Sequence, residues 1–443
     1  MCSIIASNFK IGDLDHVNYF LKFRGPDHTG ELLVNGWHFV HNLLSITGEF
    51  RPQPLTSPNG DIVCLFNGEI YNYKTFGDFA SDGDCIIPCY EQYGHDFTRL
   101  LDGEFAIVLI DFRRKSIFLG TDVFSTKPLW VGTDGSRVMF ASYESALERS
   151  GLPDRQRVPA NRAISLNIET LETERDTTVY DFDLTQHKHT YDDWVSAWEA
   201  SINKRTRDIR ERIFVGLSSG YDSGAIACEL KNQDVPFKTY SIKAQENEQV
   251  LEKRFNYHDS DFDYVRFTKS QFSACKRVVQ ERCENFIYRI YFNGESVYSD
   301  KASAGLAHIC ALANRDGIKI YLSGQGADEI YSDYGFGGQK FYPHSSFGGL
   351  YPQQLEQIFP WKSFYEGTQI SYLAKEESVA GGFGIEGRYP FLDTKLVQEF
   401  LWLSPELKNR EYKSVIDHFL TLNGYPFDKR KKIGFSCDKN LAD

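Results

Sequence analysis

The sequence predicts two domains of different fold class, because its pattern changes near the middle of the chain. A chain of 443 residues is longer than one ordinary domain. Up to about residue 185, short apolar runs alternate with turn signals, as in DIVCLFNGEIYNY and GEFAIVLIDF, which is typical of a strand-rich domain. From about residue 190, apolar strands alternate with helical stretches, and this predicts a parallel sheet with crossover helices. With a polar linker within 176–190, we expect domains over residues 1–185 and 186–443.

Composition and charge exclude several classes of protein. Hydrophobic residues make up 41% and charged residues 25%, which indicates a folded chain, and the net charge of −12 argues against nucleic acid or an anionic membrane as main partner. No apolar run reaches the ~18 residues of a membrane span, and the start, MCSIIASNFKIGD, lacks the features of a secretory signal. The 9 cysteines have neither CxxC nor zinc-ligand spacing, so we expect a cytoplasmic protein.

Cys2 is the first candidate for catalysis. It follows Met1 directly, and an initiator Met before a small residue is readily removed. The mature chain would then carry a thiol and a free α-amine on one residue, and that amine has an ordinary pKa near ~7.7–8.0. One residue would therefore supply both a nucleophile and its general base. The alternative is an accidental cysteine near a terminus.

Four polar clusters punctuate the predicted strands of the first domain. They are RGPD (24–27), NGEIYN (67–72), Asp84 and LDGEFA (101–106). Together with Cys2 they are similar to the class II glutamine amidotransferase domain, over residues 1–185. This resemblance implies an α+β N-terminal-nucleophile (Ntn) fold with stacked antiparallel sheets. It also implies that Cys2 attacks the side-chain amide of glutamine and forms a glutamyl thioester.

The same resemblance implies the residues that bind glutamine. The Asn67 side chain and the Gly68 backbone N–H would stabilise the tetrahedral oxyanion, Asp84 would hold the ammonium group, and Glu69 belongs to the same set. Taken alone, Asn67-Gly68 favours a hairpin turn, and Cys2 upstream shifts the interpretation to function.

One position departs from the family pattern. The family carries an arginine for the glutamine α-carboxylate where this chain has Leu43, and an apolar side chain cannot replace a guanidinium. Arg51, later in the same segment, is the candidate replacement.

The second domain opens with a motif that predicts phosphate binding. A strand over 214–217 leads into the loop SSGYDS (218–223) and then a helical run, and the N–H groups at such a helix start bind anions. The loop lacks the lysine of a Walker A motif. It resembles the PP-loop SGGxDS of ATP pyrophosphatases, with Ser219 in place of the first glycine, although alone it is also compatible with a simple turn. With positions that match the AMP cradle of this family, the expected ATP-binding set is Leu217, Ser218, Ser219, Gly220, Tyr221, Asp222, Ser223, Ile242, Ser323 and Gly324.

Three further pieces follow in order: LSGQGADE (322–329), GIEGRYPFLD (384–393) and Lys413. Carboxylates suit a hard cation beside pyrophosphate, so Asp222 and Asp328 are expected to hold Mg²⁺, although Asp328 also fits an acid at a helix start. With the PP-loop, these pieces resemble the synthetase domain of glutamine-dependent asparagine synthetases, over about residues 195–435.

The family resemblance implies a reaction. ATP would adenylate the β-carboxylate of aspartate, and ammonia released at Cys2 would pass through an internal channel and displace AMP. Lys413 would stabilise the charge of the transition state. Many members have glutamate at the position of Gln325, where it is proposed to take a proton from ammonia, so Glu386 or the substrate would have to serve as base here. A homodimer is the family expectation.

Three alternatives stay open. The same chemistry could act on another carboxylate, such as a sugar acid or a natural-product or nucleobase precursor. The chain could be a glutaminase with a decayed synthetase half, or a non-catalytic protein that keeps the fold. A ring-closing lactam synthetase is disfavoured, because those enzymes usually lack the N-terminal nucleophile.

Overall fold

A computed structural model describes residues 2–243, 246–258, 262–288, 294–429, 435 and 437. Met1, whose removal the sequence predicts, lies outside the described residues. The chain forms two compact units. The first comprises the chain up to Asp181 with the short segments Asp208–Arg210 and Gly381–Gly384, and the second comprises Phe182–Arg207, Glu211–Ala380 and the chain from Ile385 onward.

The elements of the first unit in chain order are β1 (Ser3–Ser7), α1 (Leu14–Val17), β2 (His28–Val34), β3 (Trp37–Leu43), β4 (Leu55–Thr56), β5 (Ile62–Ile70), α2 (Ile86–Tyr93), β6 (Gly103–Asp111), β7 (Ser116–Thr121), β8 (Trp130–Thr133), β9 (Val138–Ala141), α3 (Glu144–Arg149), β10 (Asp154–Arg157), β11 (Arg162–Asn167) and β12 (Thr173–Thr178). The strands form two antiparallel six-stranded sheets, in the strand orders β10-β8-β9-β1-β3-β2 and β12-β11-β7-β6-β5-β4.

The two sheets share one apolar core, which confirms the predicted stacked antiparallel fold. Alternate residues of β1 and β3, such as Ile4 and Phe39, pack with Leu65 of β5 and Val108 of β6. The opposite face of the first sheet packs against α1 and α3 in a second cluster that includes Ile5. Both faces of β1 are therefore buried, and this strand carries Cys2 at its start.

The elements of the second unit are α4 (Asp192–Thr206), β13 (Ile213–Gly216), α5 (Tyr221–Asn232), β14 (Phe237–Ile242), α6 (Glu248–His258), β15 (Phe262–Val265), α7 (Lys269–Arg282), α8 (Lys301–Arg315), β16 (Ile320–Leu322), α9 (Ala327–Tyr331), β17 (Gly335–Phe336), β18 (Gln339–Lys340), α10 (Lys362–Tyr365), α11 (Thr368–Gly381), β19 (Glu386–Arg388), α12 (Thr394–Trp402), α13 (Pro405–Lys408) and α14 (Ser414–Leu422). It contains a parallel five-stranded sheet, as predicted, in the order β15-β14-β13-β16-β19.

The strand order explains where a site can form in this unit. Strand β13 lies at the centre, and the chain adds β14 and β15 on one side of it but β16 and β19 on the other. Such a reversal leaves a crevice at the carboxyl ends of the two strands that flank it, β13 and β16. The loops SSGYDS and SGQGAD follow these two strands directly, so the fold brings the two predicted motifs together.

Within the described ranges, no helix is long and apolar enough to cross a membrane.

Candidate active sites

Cys2 is held by a buried arginine. Its carbonyl accepts a hydrogen bond from Arg24 Nε (2.9 Å), and Arg24 Nη1 donates to the Tyr143 hydroxyl (2.8 Å). Arg24 is fully buried, and Cys2 is 9% exposed, with its Sγ 3.9 Å from the Leu44 carbonyl oxygen. The RGPD cluster therefore fixes the backbone of the predicted nucleophile.

Asn67 and Gly68 lie inside strand β5, so the alternative of a hairpin turn is wrong. They pair with Ala106 and Phe105 of β6. Asn67 is fully buried, yet neither its Nδ2 nor its Oδ1 has a hydrogen-bond partner among the described residues. An unsatisfied buried amide costs about 1–3 kcal/mol, so an unpaired donor here suits a ligand such as an oxyanion. Strand β5 contacts β1, which starts after Cys2.

Gly68 is required by the backbone. Its φ is +143°, and a Cβ there would lie 1.9 Å from the Glu104 carbonyl oxygen. A larger residue would therefore displace β5 from β6 at the predicted oxyanion site. The next residue, Glu69, is 6% exposed and completes this buried segment of the predicted glutamine-binding set.

Arg51 and Asp84, both predicted to bind glutamine, form an ion pair. Arg51 Nε lies 2.8 Å from Asp84 Oδ1, and the two side chains are 57% and 15% exposed. Leu43, at the end of β3, is buried with 7% exposure and offers no charge. A guanidinium next to a carboxylate is complementary to an amino-acid zwitterion, whose own two charges can pair with both groups.

In the second unit, the loop between β13 and α5 is held by its own serines. Ser223 Oγ accepts from the Ser218 N–H (3.0 Å) and lies 2.8 Å from Ser218 Oγ, which accepts from the Gly220 N–H (3.1 Å). The Ser219 N–H and hydroxyl both donate to Glu246 Oε2, each at 2.5 Å. The Glu246 carboxylate thus accepts from a loop N–H group that a phosphate oxygen would use. This contact shows that the loop can bind an anionic group.

Asp222, Lys413 and Asp328 form one cluster. Lys413 Nζ lies 2.6 Å from Asp222 Oδ1 and 2.9 Å from Asp328 Oδ1, with the lysine side chain 1% exposed. The Tyr412 hydroxyl donates to the same Asp328 oxygen (3.0 Å). Gly324 allows the two loops to approach, because a Cβ there would lie 2.8 Å from Asp222 Cβ. Three distant segments of sequence therefore place two carboxylates and an ammonium group at one point.

A cavity of about 380 Å³ opens beside this cluster. Of the residues predicted from the sequence, its lining includes Ser218, Asp222, Ser223, Gly324, Gln325 and Asp328. Among the described residues, those predicted for the site that do not line it are Leu217, Ser219, Gly220, Tyr221, Ile242, Ser323, Glu386 and Lys413.

Glu386, the predicted substitute base, is already bound to an arginine. It is 2% exposed at the start of β19, and its Oε1 accepts from Arg388 Nε (2.8 Å). Since a general base must reach the proton that it removes, a buried carboxylate bound to an arginine away from the cavity does not fit that role. The structure therefore corrects this assignment.

Known families match both units. A family model described as "Glutamine amidotransferase domain" matches residues 1–182, and one described as "Asparagine synthase" matches residues 196–369. The chain joins a glutamine amidotransferase domain to an asparagine synthase domain. The family resemblance predicted from the motifs is thereby confirmed.

Curated relatives match most of the chain. Asparagine synthetase [glutamine-hydrolyzing] 2 of Arabidopsis thaliana is 27% identical, over 92% of this chain and 72% of that protein. Asparagine synthetase [glutamine-hydrolyzing] 1 of Saccharomyces cerevisiae is 22% identical, over 88% and 72%. Among solved structures, the glutamine phosphoribosylpyrophosphate amidotransferase of B. subtilis, complexed with ADP and GMP, matches with 11% identity and a TM-score of 0.35, over 61% of this chain and 67% of that one.

The synthase domain holds a residue that the sequence did not reveal, Arg254 of α6. Its guanidinium donates to the carbonyls of Ser218, Gly220 (2.9 Å) and Pro426 (2.8 Å), and it is fully buried. Gly224 makes room for it, because a Cβ at that position would lie 2.4 Å from Arg254 Nη2. Arg254 thus binds the carbonyl side of the PP-loop and leaves the N–H side to face an anion. In the sequence, Arg254 belongs to an ordinary amphipathic helix. Nothing there indicates this role, because the contact with the PP-loop forms only in the folded chain.

His41 in β3 of the amidotransferase domain is another buried polar residue whose environment the sequence does not predict. It is 1% exposed, and its Nε2 has no hydrogen-bond partner in the part of the chain that the structure describes. Burial lowers its pKa to about 3, so the imidazole is neutral at pH 7. The Phe66 backbone, just before Asn67, is among the groups that act on it. The surrounding VHNLLSI predicts only a buried strand.

Proposed function

We propose that this chain transfers the amide nitrogen of glutamine to the β-carboxylate of aspartate, which ATP activates as an acyl-adenylate. The products would be asparagine, glutamate, AMP and pyrophosphate. The observation that carries this proposal is the Lys413 ammonium bound between Asp222 and Asp328 at the switch point of the parallel sheet, beside an anion-binding PP-loop. Such a cluster suits the charge that develops when the bond between the α and β phosphates breaks.

In the amidotransferase domain, Cys2 supplies the nucleophile. Its α-amine takes the thiol proton, and the thiolate attacks the side-chain carbonyl of glutamine. Asn67 Nδ2 and the Gly68 N–H donate to the oxyanion, and ammonia leaves as the thioester forms. Water then releases glutamate and restores the thiol.

In the synthase domain, the acceptor carboxylate attacks the α-phosphorus of ATP, and pyrophosphate leaves. The SSGYDS loop binds the phosphates through its N–H groups, and Lys413 stabilises the charge on the leaving group. Ammonia then attacks the acyl-adenylate, and AMP leaves with the electrons of the broken C–O bond.

Asp222 and Asp328 fit a magnesium ion, because two carboxylates around one cationic group are the donors that a hard cation prefers. Within the described residues there is no group of three or more His, Cys, Asp or Glu side chains that could hold a metal, so phosphate oxygens and water would complete its coordination. When bound, the ion would neutralise phosphate charge.

Mass spectrometry of the products tests the proposal. Purified protein is incubated with ATP, Mg²⁺, glutamine and aspartate. Asparagine, glutamate, AMP and pyrophosphate in equal amounts are expected. Glutamate without asparagine or pyrophosphate would refute aspartate as the acceptor, and absence of pyrophosphate release with every carboxylate of a panel would refute the synthetase assignment.

A second acceptor class is favoured by the cavity itself. Beyond Asp222 and Asp328, its lining includes five acidic residues together with Tyr288 and Tyr372; the five are Glu246, Glu295, Asp300, Glu329 and Glu376. Carboxylates and tyrosine rings bind ammonium groups, so a longer carboxylate that carries an amine is the alternative to aspartate. Pyrophosphate release measured with a panel of carboxylates distinguishes the two, since aspartate should give the highest kcat/KM if the first proposal holds.

Cytoplasmic location and a homodimer are further parts of the proposal. All 9 cysteines are free thiols, which supports a reducing compartment. Size-exclusion chromatography with light scattering measures the oligomeric state.

Replacing Arg51 with alanine should raise KM for glutamine roughly 10- to 100-fold, because a charged hydrogen bond to the α-carboxylate contributes about 1.5–3 kcal/mol. The kcat of ammonia-dependent synthesis should not change. Steady-state kinetics with each nitrogen donor measures both effects. Arg137→Ala is the control, since Arg137 forms a partly exposed ion pair with Asp134 (2.7 Å) in the same unit. An unchanged KM for glutamine in Arg51→Ala would show that Arg51 does not replace the arginine missing at Leu43.

A further inference from the structure

The cavity of the synthase domain contains several carboxylates, and most of them are already used. Asp222 and Asp328 bind Lys413, and Glu246 binds the Ser219 N–H and hydroxyl. Glu329 accepts from the Tyr334 hydroxyl with one oxygen and from the Gly326 N–H (3.2 Å) with the other.

Asp300 is occupied as well. It accepts from the Tyr288 hydroxyl (2.7 Å) and the Ala302 N–H (2.8 Å). These acids are therefore already paired within the structure or belong to the proposed phosphate site. None of them presents an oxygen without a hydrogen-bond partner as clearly as Glu376 does.

Glu376 is different. It lies on α11 and lines the cavity, and its Oε2 is buried without a hydrogen-bond partner in the ranges that the structure describes. Gln325 lines the same cavity, and its buried Nε2 has no hydrogen bond of ordinary geometry within those ranges, although its side chain is near enough to Glu329 to oppose the rise in the pKa of that acid. An unpaired acceptor and an unpaired donor in one cavity are typical of a ligand site, because each costs free energy until a ligand pairs with it.

Ser323 connects the two residues. Its Oγ accepts from the Gln325 N–H (3.1 Å), and the same side chain interacts with the Glu376 carboxylate. Ser323 and Gly324 follow β16, the strand whose end forms the predicted AMP cradle. Glu376 is therefore close to the loop on which an acyl-adenylate would lie.

We propose that Glu376 is the general base of amide formation in this chain. The proposal rests on the proposed function and names a residue of that same site. As ammonia attacks the acyl carbon, the new C–N bond forms, and a proton passes from nitrogen to Glu376 Oε2. The C–O bond to AMP then breaks, and AMP keeps its electron pair. Gln325 donates to the intermediate but cannot take a proton, and the acid that takes it lies on the neighbouring helix α11.

The electrostatic surroundings suit this role. Burial raises the pKa of Glu376 to about 7, against the opposing effects of Ser323 and Lys375. A base with this pKa is half deprotonated at neutral pH, where general-base catalysis is most effective. The titratable groups that act on it from the elements packed around it are Lys375 and Glu377 of α11, Glu329 of α9, Tyr321 of β16 and Cys310 of α8.

The test is Glu376→Gln, which keeps the shape of the side chain. Two rates are measured with ATP and aspartate: exchange of labelled pyrophosphate into ATP, and amide formation from ammonium chloride, compared across pH at a fixed concentration of unprotonated ammonia. We expect kcat of amide formation to fall roughly 10²- to 10⁴-fold, the usual contribution of a general base. Pyrophosphate exchange should stay within about twofold, and the rise of the rate near pH 7 should disappear.

Two further variants make the result specific. Adding Gln325→Glu to Glu376→Gln returns a carboxylate to the cavity and should restore part of the lost rate. Glu377→Gln is the control, because Glu377 accepts from the Tyr389 hydroxyl (2.8 Å) and, among the described residues, does not line the cavity. It should keep amide formation, with the rise shifted to lower pH because a neighbouring negative charge has been removed.

Unchanged amide formation in Glu376→Gln, or an equal loss of exchange and amide formation, would overturn the proposal. Absence of pyrophosphate exchange in the unmodified chain with every carboxylate tested would instead overturn the proposed function.

Discussion

Cys2→Ala should abolish glutamine-dependent amide formation while synthesis from ammonium salts continues at the original rate. We expect a fall of at least about 10⁴-fold with glutamine, because no other described group of the amidotransferase domain combines a thiol with an α-amine. Parallel assays with glutamine and with ammonium chloride measure the two rates.

The physical reason is that the thiol makes and breaks a covalent bond. Loss of a hydrogen bond at the oxyanion site leaves the nucleophile in place and costs about 10²- to 10³-fold. Loss of the nucleophile removes the covalent route altogether. Asn67→Ala should thus lie between the wild type and Cys2→Ala in the glutamine assay.

Cys275→Ala is the matched control, since it removes a half-buried thiol from the other unit. It should leave both rates within about twofold. If Cys2→Ala retained glutamine-dependent synthesis, the N-terminal nucleophile would be wrong. If it lost both rates together with its folded structure by circular dichroism, Cys2→Ser would repeat the test with the hydroxyl isostere.

The sequence predicts the fold and the meeting of its motifs in space, because each motif combines a local signal with a fixed order. The parallel sheet followed from strand and helix alternation, and its switch point placed Ser218 and Gly324 at one edge. Asn67-Gly68 shows the limit of a local signal. The dipeptide alone fits a turn, whereas its neighbours Phe66 and Ile70 continue an apolar strand that the β6 pairing fixes.

Residues that act through long-range contacts could not be predicted in this way. Arg254 reaches the PP-loop from 36 positions away in the sequence, and nothing in its helix marks it. Glu386 was chosen from a motif, but its neighbour Arg388 already binds it. The sequence does not indicate a role for Glu376, because an acid in the stretch LAKEESVAGG is expected on the exposed face of a helix. The side chain as a whole is part-buried, but its Oε2 is buried, and the burial of that atom depends on tertiary packing.

Asp222→Asn should lower the rate of aspartate-dependent pyrophosphate release by at least about 10²- to 10³-fold. The substitution removes one of the two carboxylates around Lys413 Nζ, 2.6 Å away, and also one of the two proposed magnesium ligands. Electrostatic groups of this kind stabilise developing charge by several kcal/mol in a buried site. A coupled pyrophosphate assay at saturating ATP measures the change. Glutaminase activity should not decrease, because Cys2 and Asn67 belong to the other unit.

The control for this variant is Asp263→Asn, which removes a carboxylate that pairs with Lys238 (3.3 Å) at the edge strand of the same sheet. The two variants lose the same charge from one unit, so a general effect of net charge would lower both rates equally. A selective loss in Asp222→Asn assigns the effect to the Asp222–Lys413–Asp328 cluster. Normal pyrophosphate release in that variant would refute the PP-loop assignment.

Since ammonia has no role before the adenylate forms, the loss in Asp222→Asn must also be independent of the nitrogen donor, whereas the loss in Cys2→Ala must depend on it. The two variants together therefore separate the adenylating reaction from the release of ammonia.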